Sequence, residues 1–269
     1  MGKAHFERHK NVSTKDILFI HGNLASKYWW YPTLEILESL FLSSPNSTAS
    51  LKGSLCMGEL RGCGRSPLMS SHKLKVDDVL QDFISYSEQE ELSHITLVGH
   101  SAGGLIAALL LARRPDLFKG ALLVSPVGPQ GLKNVPVDIA DRYRAMENSP
   151  KLAAQVVGAT IYLNNFENPL FKNEIMSDVM HSLRTSGIQL VEALMGVDYR
   201  GEIAQISKPL KILYGAHDWV LEESHALAYK EAVAHSIYDK LMDHGHCLNF
   251  ENPERMALEV KAFIEEYSL

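Results

Sequence analysis

The sequence predicts an α/β fold: a mostly parallel sheet buried on both faces, flanked by helices and interrupted by one long helical insertion. Three observations predict it. Short runs with the length and composition of strands alternate with stretches whose apolar residues recur at helical spacing. The strand-like runs are apolar throughout rather than alternating with polar residues, as strands covered on both sides are. Between about Leu132 and Ile206 the alternation stops, leaves no convincing strand, and then resumes.

The elements follow in order. Residues 16–20 are an apolar, β-branched run that ends at His21-Gly22, a buried strand and then a turn. Leu34, Leu37, Leu40 and Phe41 mark a helix over 32–42. Residues 54–57 are a second strand, and Arg61-Gly62-Cys63-Gly64-Arg65-Ser66-Pro67 after it has the composition of a loop. Val76, Val79, Leu80, Phe83 and Ile84 mark a helix over 76–86. Residues 94–98 are a strand, Ala102–Arg113 a nearly all-apolar helix stopped by Pro115, and 121–124 the next strand. Inside the insertion, Ser149-Pro150 reads as an N-cap with proline in the first helical position. Asn168-Pro169 reads as another start, and Gly187 and Gly201 as breaks. Residues 210–214 and 235–242 restore the strands, and an amphipathic helix over Pro253–Tyr267 closes the pattern.

Composition excludes several classes of protein. Among 269 residues, 26 Lys+Arg stand against 32 Asp+Glu, a net charge of −6, so the basic footprint of a nucleic-acid binder is missing. Hydrophobic residues are 46% of the chain, too many for low-complexity disorder. The longest apolar run, residues 105–112, is far short of the roughly 20 needed to cross a bilayer. No apolar signal core follows Met1, and Phe6 stands where a myristoylation motif carries Ser or Thr. Cys56, Cys63 and Cys247 cannot all pair and lack metal-site spacing. Free thiols, a cytoplasmic location and no metal are therefore expected.

The sharpest chemical signal is Gly99-His100-Ser101-Ala102-Gly103, a G-x-S-x-G sequence set between a strand and a helix. A turn that tight needs small residues beside the serine, and it pushes the hydroxyl out at the carboxyl end of the sheet. It also leaves the Ala102 N–H, at the positive end of a helix, facing an anion beside Ser101. A serine hydroxyl needs a base within reach and a group that orients the base. Asp218 lies just past the strand at 210–214, and His246 just past the strand at 235–242, at the strand ends where parallel sheets bind ligands. The expected roles are Ser101 nucleophile, His246 base and Asp218 orienter. His244 competes with His246, and Asp243 with Asp218, although Asp243 is too near His246 in sequence to reach its far nitrogen easily. His217 neighbours Asp218 and is expected to point away from it. The turn His21-Gly22-Asn23-Leu24 follows the first apolar strand and can present an N–H to a tetrahedral oxyanion, with Asn23 favoured over Leu24. Whether the Asn23 side-chain amide takes part stays open. His21 is expected to hold the loop by hydrogen bonding, and His100 to pack.

With these residues in view, the sequence resembles the α/β-hydrolase family. The resemblance rests on His21-Gly22, Arg61-Gly62-x-Gly64-x-Ser66, Gly99 to Gly104, Gly215-x-x-Asp218, and Gly245-His246 followed by Glu251-Asn252-Pro253. Glu59 stands where relatives carry Asp, and Cys63 where many carry His. The resemblance implies a hydrolase core over 1–130 and 205–269, an eight-stranded mostly parallel sheet, and a four-helix cap over 131–204 that sets substrate choice. It also implies a serine hydrolase acting on small, moderately apolar esters or lactones. That enzyme needs no cofactor, and its partner is a small-molecule substrate, the protein being a monomer or homodimer.

Alternatives share the triad. One is C–C hydrolysis of a diketone, with a cap arginine (Arg142, Arg144, Arg184 or Arg200) on a carboxylate. Another is acyl transfer or perhydrolysis, and a third is a ligand receptor with a vestigial triad. Ser101 at the elbow argues against Asp-nucleophile members, and the spacing of Gly62, Gly64 and Gly99 to Gly104 against dinucleotide binding. His100, Trp29, Trp30 and Trp219 are candidate substrate contacts, the Trp29-Trp30 pair being equally compatible with core packing.

Overall fold

The computed structural model describes residues 3–43, 51–68, 73–267 and 269. Its strands are β1 (Phe6–Ser13), β2 (Ile17–Ile20), β3 (Gly53–Gly58), β4 (Ile95–His100), β5 (Phe118–Val124), β6 (Leu210–Gly215) and β7 (Ile237–Leu241). They form one seven-stranded sheet in the order β1-β3-β2-β4-β5-β6-β7. Every neighbouring pair is parallel except β1 with β3.

Seven described strands stand where eight are expected. The sequence offers six apolar runs, and the structure adds β1. Its sequence, FERHKNVS, is partly exposed along its length. An antiparallel edge strand with one wetted face carries charge and shows no continuous apolar run.

The helices are α1 (Tyr31–Leu42), α2 (Val76–Gln89), α3 (Ala102–Arg113), α4 (Ile139–Glu147), α5 (Pro150–Ala159), α6 (Met176–Arg184), α7 (Gly187–Leu194), α8 (Arg200–Ile203), α9 (Glu223–Ala232), α10 (Leu248–Glu251) and α11 (Pro253–Tyr267). Alternate residues of a strand face opposite sides of the sheet. In β2, Leu18 and Ile20 pack with α2 and α3 on one face, while Ile17 and Phe19 pack with α1 and α11 on the other. This two-sided cover is why the runs are apolar throughout.

Between β5 and β6 the chain runs through α4 to α8, with a π-helical turn at Leu170–Ile175. The ends of this segment meet in a neck: the Leu132 N–H donates to the Leu194 carbonyl at 2.8 Å, and the Tyr199 N–H to the Pro129 carbonyl at 2.8 Å. Ser149 caps α5 by accepting the Leu152 N–H at 3.3 Å, as its place before Pro150 predicts. The segment has its own apolar core, including Met146, Ala153, Phe171, Ile175 and Val179, which closes onto Ala25, Trp29 and Cys247 from the sheet's loops. The three cysteines are free and buried. No described helix is long and apolar enough to cross a membrane.

Candidate active site

β4 ends at His100 and α3 begins at Ala102, so Ser101 alone makes the turn between them. Its backbone lies at φ 54°, ψ −119°, a region that non-glycine residues rarely adopt and that only rigid surroundings hold. Those surroundings are visible. The Ser101 N–H donates to the Val124 carbonyl at 3.0 Å, and the Ser101 carbonyl accepts the N–H groups of Gly104 and Val127 at 2.9 and 3.0 Å. A Cβ on Gly99 would meet the Gly103 carbonyl oxygen at 2.4 Å, and one on Gly103 the Ile20 carbonyl oxygen at 2.4 Å. Both positions therefore require glycine.

The loops after β6 and β7 bring Asp218 and His246 together. The His246 Nδ1–H donates to Asp218 Oδ2 at 2.8 Å, and the Asp218 side chain is fully buried. Asp218 Oδ1 accepts the N–H groups of Val220 and Leu221 at 2.9 and 3.1 Å. Burial pushes the carboxyl's pKa up, but His246 and these N–H groups outweigh it and hold it below the ordinary value. Asp243, the competing acid, has a solvent-exposed side chain beside His244 and is not the partner of His246. His217 points away from the pair and stacks on Tyr162, with ring centroids 4.2 Å apart.

The turn after β2 passes directly beside the serine: a Cβ on Gly22 would lie 2.9 Å from the Ser101 Cβ. Among the described residues, the Asn23 and Ala102 N–H groups have no protein acceptor. The Leu24 N–H is taken up by Asn23 Oδ1 at 2.9 Å, which leaves Asn23 and Ala102 as the open donors. The Asn23 amide faces away from the serine, with Nδ2 donating to the Tyr143 hydroxyl at 3.0 Å and the Gly187 carbonyl at 2.9 Å. His21 is structural as expected: its Nδ1–H donates to the Gly22 carbonyl at 2.7 Å, and its Nε2 accepts the Leu60 N–H at 3.1 Å. The His100 Nε2–H donates to the His246 carbonyl at 3.0 Å.

Two cavities open on Ser101, of about 650 and 380 Å³. Asn23, Ser101, Ile139, Tyr143 and Val220 border both. His246, His100, Trp29, Trp219 and Leu24 line the larger, and Ala102 the smaller. The tryptophan pair splits. Trp29 reaches the cavity, whereas Trp30 is fully buried against Phe19 on the α1 side of the sheet, so it makes no substrate contact. Trp219 lies at the rim, its indole N–H donating to the Ala159 carbonyl at 2.7 Å. Three of the four insertion arginines are ion-paired: Arg142, which also lines the larger cavity, with Asp138, and Arg144 and Arg200 on the surface with Asp141 and Asp198. Among the described residues, no cluster of three His, Cys, Asp or Glu side chains is placed to hold a metal.

A sequence model of the alpha/beta hydrolase fold matches residues 16–253. The chain belongs to the alpha/beta hydrolase family. The chain is 26% identical to the monoglyceride lipase of Mus musculus over 196 residues, 71% of its own length and 64% of the lipase. It is 21% identical to 3-oxoadipate enol-lactonase 2 of Acinetobacter baylyi over 196 residues, 72% of each chain. In fold it is similar to an enol-lactonase from Burkholderia xenovorans, with TM-score 0.80, 17% identity and coverage of 97% and 96% of the two chains. It is likewise similar to an esterase from Exiguobacterium antarcticum, with TM-score 0.79, 17% identity and coverage of 98% and 100%.

Two residues of the candidate site are given no role by the motifs of the sequence. Glu251 accepts the N–H groups of Gly245, Cys247 and Tyr162 at 2.7, 3.0 and 2.9 Å. It thereby clamps the His246 loop on both sides and ties it to the insertion. Its place in the Glu-Asn-Pro motif was the available signal. Tyr143, half-buried in the insertion, anchors the Asn23 side chain from 120 residues away, and nothing local marks it.

Proposed function

We propose that this hydrolase cleaves carboxylic esters through an acyl-enzyme on Ser101. One observation carries the reading: a serine in a left-handed strand-to-helix turn shares a cavity wall with a histidine bonded at 2.8 Å to a buried carboxylate. His246 Nε2 takes the Ser101 hydroxyl proton as Oγ adds to the ester carbonyl, and Asp218 holds the tautomer and stabilises the imidazolium. The Asn23 and Ala102 N–H groups receive the oxyanion, one such donor being worth about 3 kcal/mol. The carbonyl then reforms, the bond to the leaving oxygen breaks, and His246 returns the proton to that oxygen. Water adds by the same route and releases the acid and the free serine. These proton transfers need no cofactor.

The relatives' names (lipase, enol-lactonase, esterase) support ester and lactone substrates. Residues 131–204 act as a cap that walls both cavities and selects the substrate. Arg142 reaches the larger cavity with its charge taken up by Asp138, and Arg144 and Arg200 line neither cavity, which weighs against a diketone hydrolase that reads a carboxylate through one of them.

A fluorophosphonate probe followed by peptide mass spectrometry tests the proposal. The adduct is expected on Ser101, and Ser101→Ala is expected to lose about a thousandfold or more of 4-nitrophenyl butyrate turnover. Labelling elsewhere, or intact turnover in the variant, overturns the reading.

A further inference from the structure

Ser101 stands in the partition between two chambers of unlike character, and the geometry of ester cleavage gives each a role. The reacting carbon of the tetrahedral intermediate is bonded to Ser101 Oγ, the oxyanion, the leaving oxygen and the acyl carbon. The oxyanion faces the Asn23 and Ala102 N–H groups. The leaving oxygen receives its proton from His246, so it lies in the chamber that His246 lines, the one of about 650 Å³. The acyl carbon takes the remaining direction, toward the chamber of about 380 Å³ that Ala102 lines and His246 does not.

The walls differ to match. Beside His246 the chamber is mostly apolar, with Trp29, Met146, Val156 and Val157 among its walls and Arg142 and Thr160 beside them. Beside Ala102 it carries Gln130 and His225 within an apolar lining. Gln130 Oε1 is buried against the Gly128 backbone and out of an occupant's reach, so recognition falls to His225. His225 Nδ1 accepts the Gly128 N–H at 2.9 Å. Burial lowers the pKa of His225, so the imidazole is neutral and carries its proton on Nε2, where it is available to donate. Lys133 and Glu222 both lie exposed in the same wall and offset each other, which favours a neutral occupant over an ionic one.

We propose that the smaller chamber is the acyl site and selects acyl groups that end in a hydroxyl, which accepts from His225, while the larger chamber takes an apolar leaving alcohol. This rests on the serine-hydrolase reading above. Two isomeric esters separate the possibilities: hexyl 6-hydroxyhexanoate, with its hydroxyl on the acyl side, and 6-hydroxyhexyl hexanoate, with its hydroxyl on the alcohol side. The expected result is a kcat/KM at least tenfold higher for the first. The His225→Phe variant is expected to lose most of that preference, measured as the ratio between the isomers and therefore independent of how much protein folds. Equal rates or the reverse preference, with 4-nitrophenyl acetate still turned over by Ser101, overturn the chamber assignment and leave the hydrolase reading standing. Loss of all Ser101-dependent turnover, including that of 4-nitrophenyl acetate, overturns both.

Discussion

In the proposed mechanism Ser101, His246 and Asp218 divide the chemistry so that each can be tested alone. Asp218 accepts one imidazole N–H and two backbone N–H groups, so it fixes which ring nitrogen of His246 carries the proton. An asparagine in its place keeps the shape but turns an N–H₂ toward Nδ1, which favours the wrong tautomer. Asp218→Asn is expected to lower kcat by about 10⁴-fold with a modest change in melting temperature; a loss under tenfold would mean that Asp218 does not orient His246. These residues were legible in the sequence because each sits at a strand end with a glycine beside it: Gly99 and Gly103 around Ser101, Gly215 before Asp218, Gly245 before His246. Local crowding forces those glycines, so a local motif records them. A Cβ on Gly215, for example, would lie 2.0 Å from the Gly245 carbonyl oxygen, which shows how closely the two loops pass.

At the scale of elements, the turn after β2 and the insertion are locked together. Asn23 Nδ2 bonds Tyr143 on α4 and the Gly187 carbonyl at the start of α7, and a Cβ on Gly187 would lie 2.6 Å from Leu24 Cδ2. The insertion thus sets the position of the Asn23 N–H beside Ser101. Tyr143→Phe removes one acceptor of a buried amide. It is expected to cost about 1 kcal/mol of stability and to lower kcat about tenfold while KM moves less, because the lost positioning acts on the oxyanion. Equal changes in kcat and KM, or a change in stability alone, would restrict Tyr143 to packing. This link was invisible in the sequence, as was β1, for related reasons. Helices α3 and α11 were legible to the residue because their apolar spacing and flanking prolines are local. A contact across 120 residues leaves no periodic trace. The charged edge strand β1 takes its place from pairing with β3, a partner more than forty residues away. The insertion's helices were visible as starts and stops, but their packing onto the loops around Ser101 was not.

Over the whole molecule, buried neutral histidines set how stability depends on pH. Burial lowers the pKa of His21 to about 4 and of His100 to about 3. His21 is held neutral inside the turn beside Ser101, and His100 beneath it. In the unfolded chain each takes up a proton near the ordinary histidine value of 6.5. The unfolded state therefore binds more protons below that pH, and stability must fall as the pH drops. The contribution of each histidine is fully present above pH 6.5 and is lost progressively toward its folded pKa. Between pH 7 and 5 the loss is about 2 kcal/mol per histidine. His5 and His225, partly buried and also lowered, act in the same direction. His9, raised by Glu7 and Glu38 despite its burial, opposes them, as do the buried carboxyls of Glu59 and Asp82. The lowered histidines prevail because two of them are wholly buried and shifted furthest. Urea unfolding at pH 7, 6 and 5 is expected to show a falling midpoint at constant slope, with net proton uptake on unfolding. A midpoint that holds or rises toward pH 5 would mean that these imidazoles are not buried neutral, and that the packing around Ser101 is looser than the hydrogen bonds of His21 and His100 require.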